Sequence, residues 1–323
     1  MREERELTHN KEMKNRTHIN TLLSIALVAI GMAGCTEKAP VELGLIGFEP
    51  VVKVETVSRG VGDNIYSKEK RFGVWVMGLD EELSWSRDHS LATAMATNEP
   101  VGWNGSQWCT ESEIMWPHKK RITVAACSPA GAAASFNATQ GVVFEEVDAL
   151  ADGAGELMWA GPVYDQHHSN NAGTINLPFQ HALCSVQFVV IPHIPTDMSV
   201  RIKRISMEGL RHVGTFYSLP EPLWIPSGES CTVEFFEGSQ EVGPAESAEL
   251  ESQRWLIPQV CRPKVKVECE FVYEGGGGYT QTLETIEPMA WKAGKQYTYT
   301  LKVSLQSVGF LHAGLVGEVA GDQ

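Results

Sequence analysis

Residues 174–191 read TINLPFQHALCSVQFVVI, and this run has the longest strand-like pattern in the chain. Four apolar residues alternate in phase with Cys184: Ala182, Val186, Phe188 and Val190. Strict alternation of this kind indicates a β-strand with one buried face. Pro178 cannot donate to a ladder, so it marks an edge, a bulge or the beginning of the strand. The run therefore predicts a β-rich core, with Cys184 pointing into it.

Strand-like segments recur on both sides of this run. They are rich in β-branched and aromatic residues, a composition that favours strands. The other predicted segments are 41–57, 71–77, 121–127, 155–162, 200–210, 230–236, 255–260, 264–273, 280–286 and 296–305. Many short strands separated by turn signals, with little helical periodicity, predict β-sandwiches rather than a βαβ fold.

The connections between the strands carry signals of their own. A shift in the alternation predicts a bulge within 200–210, and the four glycines at 275–278 predict a hairpin loop. Residues 78–112 contain several turn signals and predict irregular structure. Residues 237–251 are acidic and contain a proline, which predicts a solvated loop.

The N-terminal part of the chain predicts export. Residues 21–35 form a short apolar run that ends in small residues and Cys35, and basic residues precede it. A spanning helix needs about 20 apolar residues, so the run is typical of a secretory signal peptide instead. A cysteine directly after two small residues makes it resemble a bacterial lipoprotein signal, in which the cysteine carries the lipid, such as palmitate. Residues 1–34 are predicted as the signal peptide, with Met13 as a candidate true start because a basic sequence begins there.

Length and charge narrow the classes of function. Removal of the signal peptide leaves 323 − 34 = 289 residues, and domains commonly hold roughly 100–150, so two domains are predicted. Lys plus Arg number 26 and Asp plus Glu number 40, which gives a formal net charge of −14. An acidic surface repels phosphate backbones, so nucleic acid is not an expected partner.

The cysteine pattern indicates buried free thiols more clearly than it indicates disulfide bonds. An exported chain could oxidise them, and no two have the close spacing of a zinc or redox site. Cys184 and Cys269 each alternate with apolar neighbours, so both are predicted as packed thiols in a core. For the remaining cysteines both states stay open; these are Cys109, Cys127, Cys231 and Cys261.

Motifs of enzymes and cofactor sites are absent from the sequence. It contains no G-x-S-x-G, no H-E-x-x-H, no phosphate loop and no G-x-G-x-x-G after a strand. The adjacent His167 and His168 point oppositely in an extended chain, which makes them a poor metal pair. Trp103 and Trp108 are candidate ligand contacts, because aromatic faces stack on sugar rings, although packing also explains them. No catalytic residue, metal or cofactor is predicted.

Several pieces of the sequence, taken in order, resemble the fimbrillin family of Bacteroidales bacteria. After the lipoprotein signal these pieces are 58–63, 72–75, 116–117, 122–129, 157–160, 177–183, 205–210, 214–216, 256–259 and 291–301. The resemblance implies two transthyretin-like β-sandwich domains with Greek-key-type connections, an N-terminal one over 35–172 and a C-terminal one over 173–323. It also implies a structural or adhesive subunit, not an enzyme, of a fimbrium at the cell outer membrane.

The resemblance further implies assembly by donor-strand exchange with other fimbrial subunits. In this family a protease cuts the lipoprotein precursor after an arginine or lysine beyond the first strand, and a strand from another subunit fills the groove. On this chain the lipid-bearing residue is Cys35, the removable strand is about 41–57, and the cut follows Arg59. The candidate donor strand comes from the end of the chain, through Val308, Phe310, Leu315, Val316 and Val319.

Alternatives stay open at this point. Arg59 could be a simple loop residue, and the cysteine could be incidental to an ordinary signal peptide. A host protein or a glycan is a further candidate partner. The chain could instead be a surface-anchored glycan-binding lipoprotein, or an exported hydrolase without a recognisable motif. Among fimbrial roles, the last piece is short, glycine-rich and without the family's usual tryptophan, so tip, anchor and accessory roles compete with a stalk role.

Overall fold

The computed structural model describes residues 43–53 and 66–312. Strands dominate this part of the chain, which confirms the all-β prediction. They are β1 (Gly47–Val52), β2 (Phe72–Asp80), β3 (Thr93–Trp103), β4 (Trp108–Thr110), β5 (Lys120–Ser128), β6 (Ala134–Asn137), β7 (Gly141–Asp148), β8 (Met158–Gln166), β9 (Thr174–His181), β10 (Cys184–Pro192), β11 (Met198–Leu210), β12 (Val213–Tyr217), β13 (Leu223–Ser227), β14 (Cys231–Val242), β15 (Ala248–Glu249), β16 (Arg254–Leu256), β17 (Val260–Cys261), β18 (Lys264–Tyr273), β19 (Gly278–Ile286), β20 (Met289–Ala290), β21 (Gln296–Val303) and β22 (Val308–His312). The helices described are short, namely Trp85–Asp88, His168–Asn171 and the 3-10 turns His89–Leu91 and Ala154–Glu156.

Seven strands form a closed sheet in the order β1-β4-β3-β2-β5-β8-β9. Its neighbours pair antiparallel, except that β1 and β9 run parallel to each other. Buried side chains fill the interior, and they include Ile46, Phe48, Phe72, Val74, Val76, Val101, Ile122, Val124, Ile175, Leu177 and Phe179. In β9 buried and more exposed side chains alternate, whereas β2 and β5 are buried on both faces.

A second sheet, of order β13-β12-β7-β6, packs on the outer face of the closed sheet. Trp75 and Cys127 point outward, since their neighbours along the strands point inward, and they join the same buried cluster as Phe144 and Phe216. The rings of Phe144 and Phe216 stack with their centroids 5.7 Å apart. Strands from 134–148 and 213–227 therefore meet in one sheet although a long segment separates them in sequence.

Two further sheets share one core. The first has the order β15-β10-β21-β22, with β16 beside β10, and the second has the order β14-β11-β18-β19. Alternate residues of both enter a common buried cluster that contains Phe188, Phe235 and Tyr299. Cys184 and Cys269 lie in it with 0% exposure, which confirms that both are packed thiols. This pair of sheets is a β-sandwich.

The outer face of the β14-β11-β18-β19 sheet carries a ladder of ion pairs between strands. Arg201 reaches Glu241 at 2.8 Å on one side and Glu270 at 2.9 Å on the other. Lys266 lies 2.5 Å from Glu208 and 3.5 Å from Glu284. Opposite charges facing each other on neighbouring strands stabilise a sheet modestly and oppose non-specific stacking on that face. We call this set the charge ladder.

Residues 174–191 form two strands, not one. The interruption is at Ala182 and Leu183, both fully buried. The Trp224 Nε1 donates to the Ala182 oxygen at 2.6 Å, and the Gly294 N–H donates to the Leu183 oxygen at 3.0 Å. These carbonyl groups are thus bonded outside the two ladders, and the chain passes from the closed sheet (β9) to the sandwich (β10). The division into 35–172 and 173–323 stays a prediction.

Two loop predictions are wrong. Residues 78–112 hold β3 and β4, because β3 pairs with β2 despite having few fully buried side chains. Residues 237–251 begin as strand, since β14 continues along β11 to the buried Val242. The predicted bulge in 200–210 is confirmed by a register shift between Ile202 and Arg204, and the hairpin at 275–278 joins β18 to β19.

Candidate functional site

The first strand, β1, completes the closed sheet by lying between β4 and β9. It pairs parallel with β9 along all six of its residues. On the opposite side one ladder pair joins Phe48 to Trp108 of β4, and an isolated bridge joins Leu45 to Met115. The pairing is therefore asymmetric: β9 holds the whole strand, whereas the β4 side holds only its beginning.

Backbone hydrogen bonds follow the same asymmetry. Near the beginning of the strand the Ile46 N–H donates to the Ile114 oxygen at 2.9 Å, on the β4 side. At the other end the Lys53 N–H donates to the Phe179 oxygen of β9 at 2.8 Å. The bond at Lys53 marks the last described residue before the segment 54–65.

The side chains of β1, and of Ile46 just before it, alternate between the core and solvent. Ile46 and Phe48 are 1% and 3% exposed, Pro50 is buried as well, and Glu49 between them is exposed. Fully burying an apolar side chain of this size contributes about 1.5–3 kcal/mol. The strand is thus held by its apolar residues as well as by its ladder.

Aromatic rings form the wall against which Phe48 packs. Phe48 meets Phe72 edge to face with ring centroids 6.3 Å apart. Phe72 and Tyr66 lie 5.2 and 5.3 Å from the ring of Phe179, and Trp108 packs on both Tyr66 and Phe72. We call these four side chains, Tyr66, Phe72, Trp108 and Phe179, the aromatic wall. Sequence reasoning missed Tyr66 and Phe179 here, although Phe179 alternates in phase with the buried Ile175 and Leu177.

Tyr66 is also an anchor for the chain. Its side chain is 2% exposed, its hydroxyl lies 2.7 Å from the Ser128 Oγ, and the hydroxyl donates to the Arg71 oxygen at 3.1 Å. Segment 54–65 is therefore held at both ends by hydrogen bonds, at Lys53 on one side and at Tyr66 on the other. Arg59 belongs to that segment, so the predicted cut lies outside the described residues.

A cavity opens beside the Val52 end of β1. Its volume is about 570 Å³, and its lining includes Val52, Tyr66, Met158, His181 and Trp255. The rings of His181 and Trp255 stack with centroids 4.9 Å apart. The end of β1 that is paired on one side only thus borders an open space lined largely by apolar and aromatic groups.

The arrangement has a direct physical consequence for a chain without β1. Loss of the strand would leave the backbone groups of β9 that now bond to it unpaired, next to the exposed aromatic wall. An open strand edge with an apolar groove is the kind of surface to which an added strand binds. The groove is therefore the candidate functional site.

Some of the other residues predicted to take part in assembly lie outside the described part of the chain. Cys35, Leu315, Val316 and Val319 lie outside the described residues. Val308 and Phe310 belong to β22, which pairs with β21 at the edge of its sheet. Val308 is 5% exposed, and the Phe310 ring meets Tyr299 edge to face at 5.4 Å. The described part of the candidate donor strand is therefore folded into the sandwich of its own chain.

The two candidate ligand tryptophans differ in exposure. Trp108 is only 6% exposed and forms part of the aromatic wall, so its ring packs in the core. Trp103 is half-buried, 5.8 Å from Trp108, and the Lys68 Nζ sits 4.0 Å from the centre of its ring. Ligand binding by Trp103 stays a prediction.

The two adjacent histidines are engaged in local structure. The His167 Nδ1 lies 2.8 Å from the Ser169 Oγ, and His168 meets Trp116 edge to face at 5.6 Å. No cluster of three or more His, Cys, Asp or Glu arranged for a metal occurs within 43–53 and 66–312. Burial raises the pKa of Cys127 to about 12, so this thiol is protonated at neutral pH. Over the same ranges, no helix is long and apolar enough to cross a membrane.

The fold is that of an all-β protein, and β1, the first described strand, completes its closed sheet by lying between β4 and β9. The sequence profile of the fimbrillin-like family matches residues 59–313. The chain therefore belongs to the fimbrillin-like family, which confirms the resemblance inferred from its sequence and places it among fimbrial proteins of the cell surface. A comparison with curated protein sequences finds no match.

Two solved structures of similar fold come from Bacteroides species. A fimbrial protein from Bacteroides vulgatus matches with a TM-score of 0.61 at 17% identity, covering 83% of this chain and 98% of its own. A candidate cell adhesion protein from Bacteroides ovatus matches with a TM-score of 0.52 at 16% identity, covering 86% of this chain and 99% of its own. At these identities the likeness is one of fold.

Proposed function

We propose that the chain is a structural or adhesive subunit of a fimbrium, in which β1 occupies a groove that a strand of another subunit later fills. The observation that carries this proposal is the position of β1. It is the first described strand, it runs parallel to β9, and its apolar residues pack on the aromatic wall. Because segment 54–65 joins it to the rest of the described chain, one cut there separates it.

Export and processing follow from the N-terminal sequence. The subunit is exported as a lipoprotein, Cys35 carries the lipid, and the outer membrane is its first location. Arg59 is the only basic residue within 54–65, so a protease that cuts after arginine or lysine has a single target in this segment. Cleavage there separates the lipid anchor and β1 from the remainder of the chain.

The last residues of another subunit supply the replacement strand. Val308 and Phe310 are two positions apart, as Ile46 and Phe48 are, so two such side chains can enter one groove from one face of a strand. Within the described residues β22 pairs with β21 alone, so its release breaks a single ladder. The partners are thus other fimbrial subunits, with a host protein or a glycan as the ligand of an adhesive subunit.

Digestion of the purified full chain with an arginine-specific protease tests the proposal. We expect a cut after Arg59, found by mass spectrometry, followed by polymers on native gels. Arg59→Ala should abolish both, whereas Arg262→Ala, a change at an exposed arginine elsewhere, should abolish neither. A chain that is cut after Arg59 but stays monomeric with β1 in place would contradict assembly by strand exchange.

A further inference from the structure

One sheet edge of the sandwich has little of the usual protection against pairing with another strand. β19 lies at the edge of the β14-β11-β18-β19 sheet and pairs with β18 over nine consecutive residues without a register shift. Of its nine residues, GYTQTLETI, only Glu284 is charged and none is a proline. A long, regular, weakly charged edge strand is a template for pairing with another strand.

The backbone groups at this edge can be assigned from the hairpin. The Tyr273 N–H donates to the Gly277 oxygen at 3.0 Å, which makes these two a hydrogen-bonded pair. Bonded and non-bonded pairs alternate along an antiparallel ladder. The N–H and C=O groups that point away from β18 therefore belong to Gly278, Thr280, Thr282, Glu284 and Ile286, all of which are exposed.

The other edges among the described sheets are each blunted. β14, at the opposite edge of the same sheet, pairs with three register shifts. β13 contains Pro226, whose missing N–H prevents a regular ladder. The remaining edge strands have between two and five residues each, and they are β6, β15, β16, β17, β20 and β22. Among these edges β19 alone combines length, regularity and low charge.

We propose that β19 is an interaction edge that pairs antiparallel with β19 of a second copy of this chain. Centred on Thr282, the strand is self-complementary, because Glu284 then faces Thr280 of the second copy and not another carboxylate. In the same register Ile286, which is 54% exposed, faces Gly278 of the second copy, where no side chain stands in its way. The pairing joins two four-stranded sheets into one of eight strands.

Local charge favours a second copy in spite of the net charge of −14. Glu284 lies 3.7 Å from the Lys264 Nζ and 3.5 Å from the Lys266 Nζ, so the one carboxylate of the edge is already neutralised within its own sheet. Two copies can therefore approach at β19 without bringing unpaired like charges together. The inference does not rest on strand exchange, since β1 and β19 belong to different sheets.

Sedimentation velocity of the purified full chain over a range of concentrations tests the proposal. We expect a reversible dimer. Thr282→Pro removes an N–H that points away from β18, and Thr282→Lys brings two cations together at the centre of the pairing. Each should raise the dimer Kd at least tenfold. Thr232→Lys on β14, the same change at the opposite edge, should leave the Kd unchanged.

A charge exchange tests the register. Thr280→Glu places a carboxylate opposite Glu284 of the second copy and should weaken the dimer. Thr280→Lys in its place should strengthen the dimer, because a cation then faces Glu284 of the second copy. Circular dichroism and the Tm of each variant check that the fold is intact.

Two outcomes would overturn the proposal. The first is an unaltered chain that stays monomeric at every concentration. The second is a dimer whose Kd is unaffected by folded Thr282→Pro and Thr282→Lys variants.

Discussion

Phe48 of the first strand and Phe72 of β2 meet edge to face, with ring centroids 6.3 Å apart and ring planes at 89°. Both side chains are at most 3% exposed. The contact joins a strand that lies at the start of the described chain to the central aromatic residues of the closed sheet. The first strand is therefore part of the core and not an addition to its surface.

Phe48→Ala should lower the free energy of unfolding by about 3 to 5 kcal/mol, because truncating a buried phenylalanine removes its burial and leaves a cavity. Urea unfolding followed by tryptophan fluorescence measures the change. Glu49→Ala, at the exposed neighbour, should change stability by less than about 0.5 kcal/mol. Equal effects of the two substitutions would mean that β1 contributes little to the core.

Tyr66→Phe should destabilise the fold by about 1 to 3 kcal/mol. The change deletes the hydroxyl that lies 2.7 Å from the Ser128 Oγ and leaves that oxygen, in a side chain only 1% exposed, without this partner. Tyr164→Phe is the matched control, because its tyrosine is 43% exposed. Limited proteolysis at 54–65 should be faster in Tyr66→Phe than in the control, since one bounding position of that segment is weakened. Unchanged stability and unchanged proteolysis would show that Tyr66 is not an anchor.

The charge ladder should make stability depend on pH and salt. A hydrogen bond from Lys266 lowers the pKa of Glu208, and hydrogen bonds from Lys203 and Arg201 lower the pKa of Glu270. A carboxylate with a lowered pKa in the folded state stabilises it above the unfolded pKa of about 4.3, and this contribution is lost as the pH falls through the folded value. Stability should therefore decline below about pH 4, and added salt should weaken the ladder.

Lys266→Met isolates this contribution. Its deficit in unfolding free energy should be present at about pH 6 and smaller at about pH 3, because protonation of Glu208 removes the ion pair as the pH falls through its lowered pKa. Lys292→Met, at an exposed lysine outside the ladder, should show no such dependence. Denaturant titrations at the two pH values provide the measurement. A deficit that is the same at both would assign the effect to packing of the lysine stem.

Buried cysteines should resist alkylation in the native protein. Burial raises the pKa of Cys127 and Cys269 to about 12, from an ordinary value of 9.0. Because the thiolate is the reactive form, each should react roughly a thousandfold more slowly than an ordinary thiol at pH 8. Iodoacetamide labelling with peptide mass spectrometry, native and in urea, measures this, with the half-buried Cys109 as the internal reference. Rapid native labelling of Cys127 or Cys269 would contradict their burial.

Strands with one clean buried face could be predicted from the sequence. The alternation around Cys269 predicted β18, and the glycines after it predicted the hairpin to β19, because both signals are local. β3 could not be predicted, since only Ala96 and Val101 along it are fully buried and its pairing with β2 makes it a strand. The interruption at Ala182 and Leu183 was equally invisible, because both residues are apolar and continue the hydrophobic run.

The candidate site was predictable only in part. The extended character of β1 follows from residues adjacent in sequence, whereas the cut after Arg59 stays a prediction. The partner of β1 does not, because parallel pairing with β9 joins segments far apart in sequence and leaves no local pattern. Tyr66 shows the same limit, since a single tyrosine after a polar segment carries no sign that its hydroxyl meets Ser128.

The one-sided pairing of β1 has a kinetic consequence. At Val52 the strand is laddered to β9 alone and borders a cavity. In the strand exchange proposed above, an invading strand would therefore begin there and replace β1 pair by pair toward Leu45. Such an exchange works like the displacement of one DNA strand by another from a toehold. The sheet never has to expose the whole groove at once, because each pair lost is replaced by a pair gained. A subunit built in this way can combine a firmly held first strand with rapid exchange, and the toehold end of β1 determines the direction.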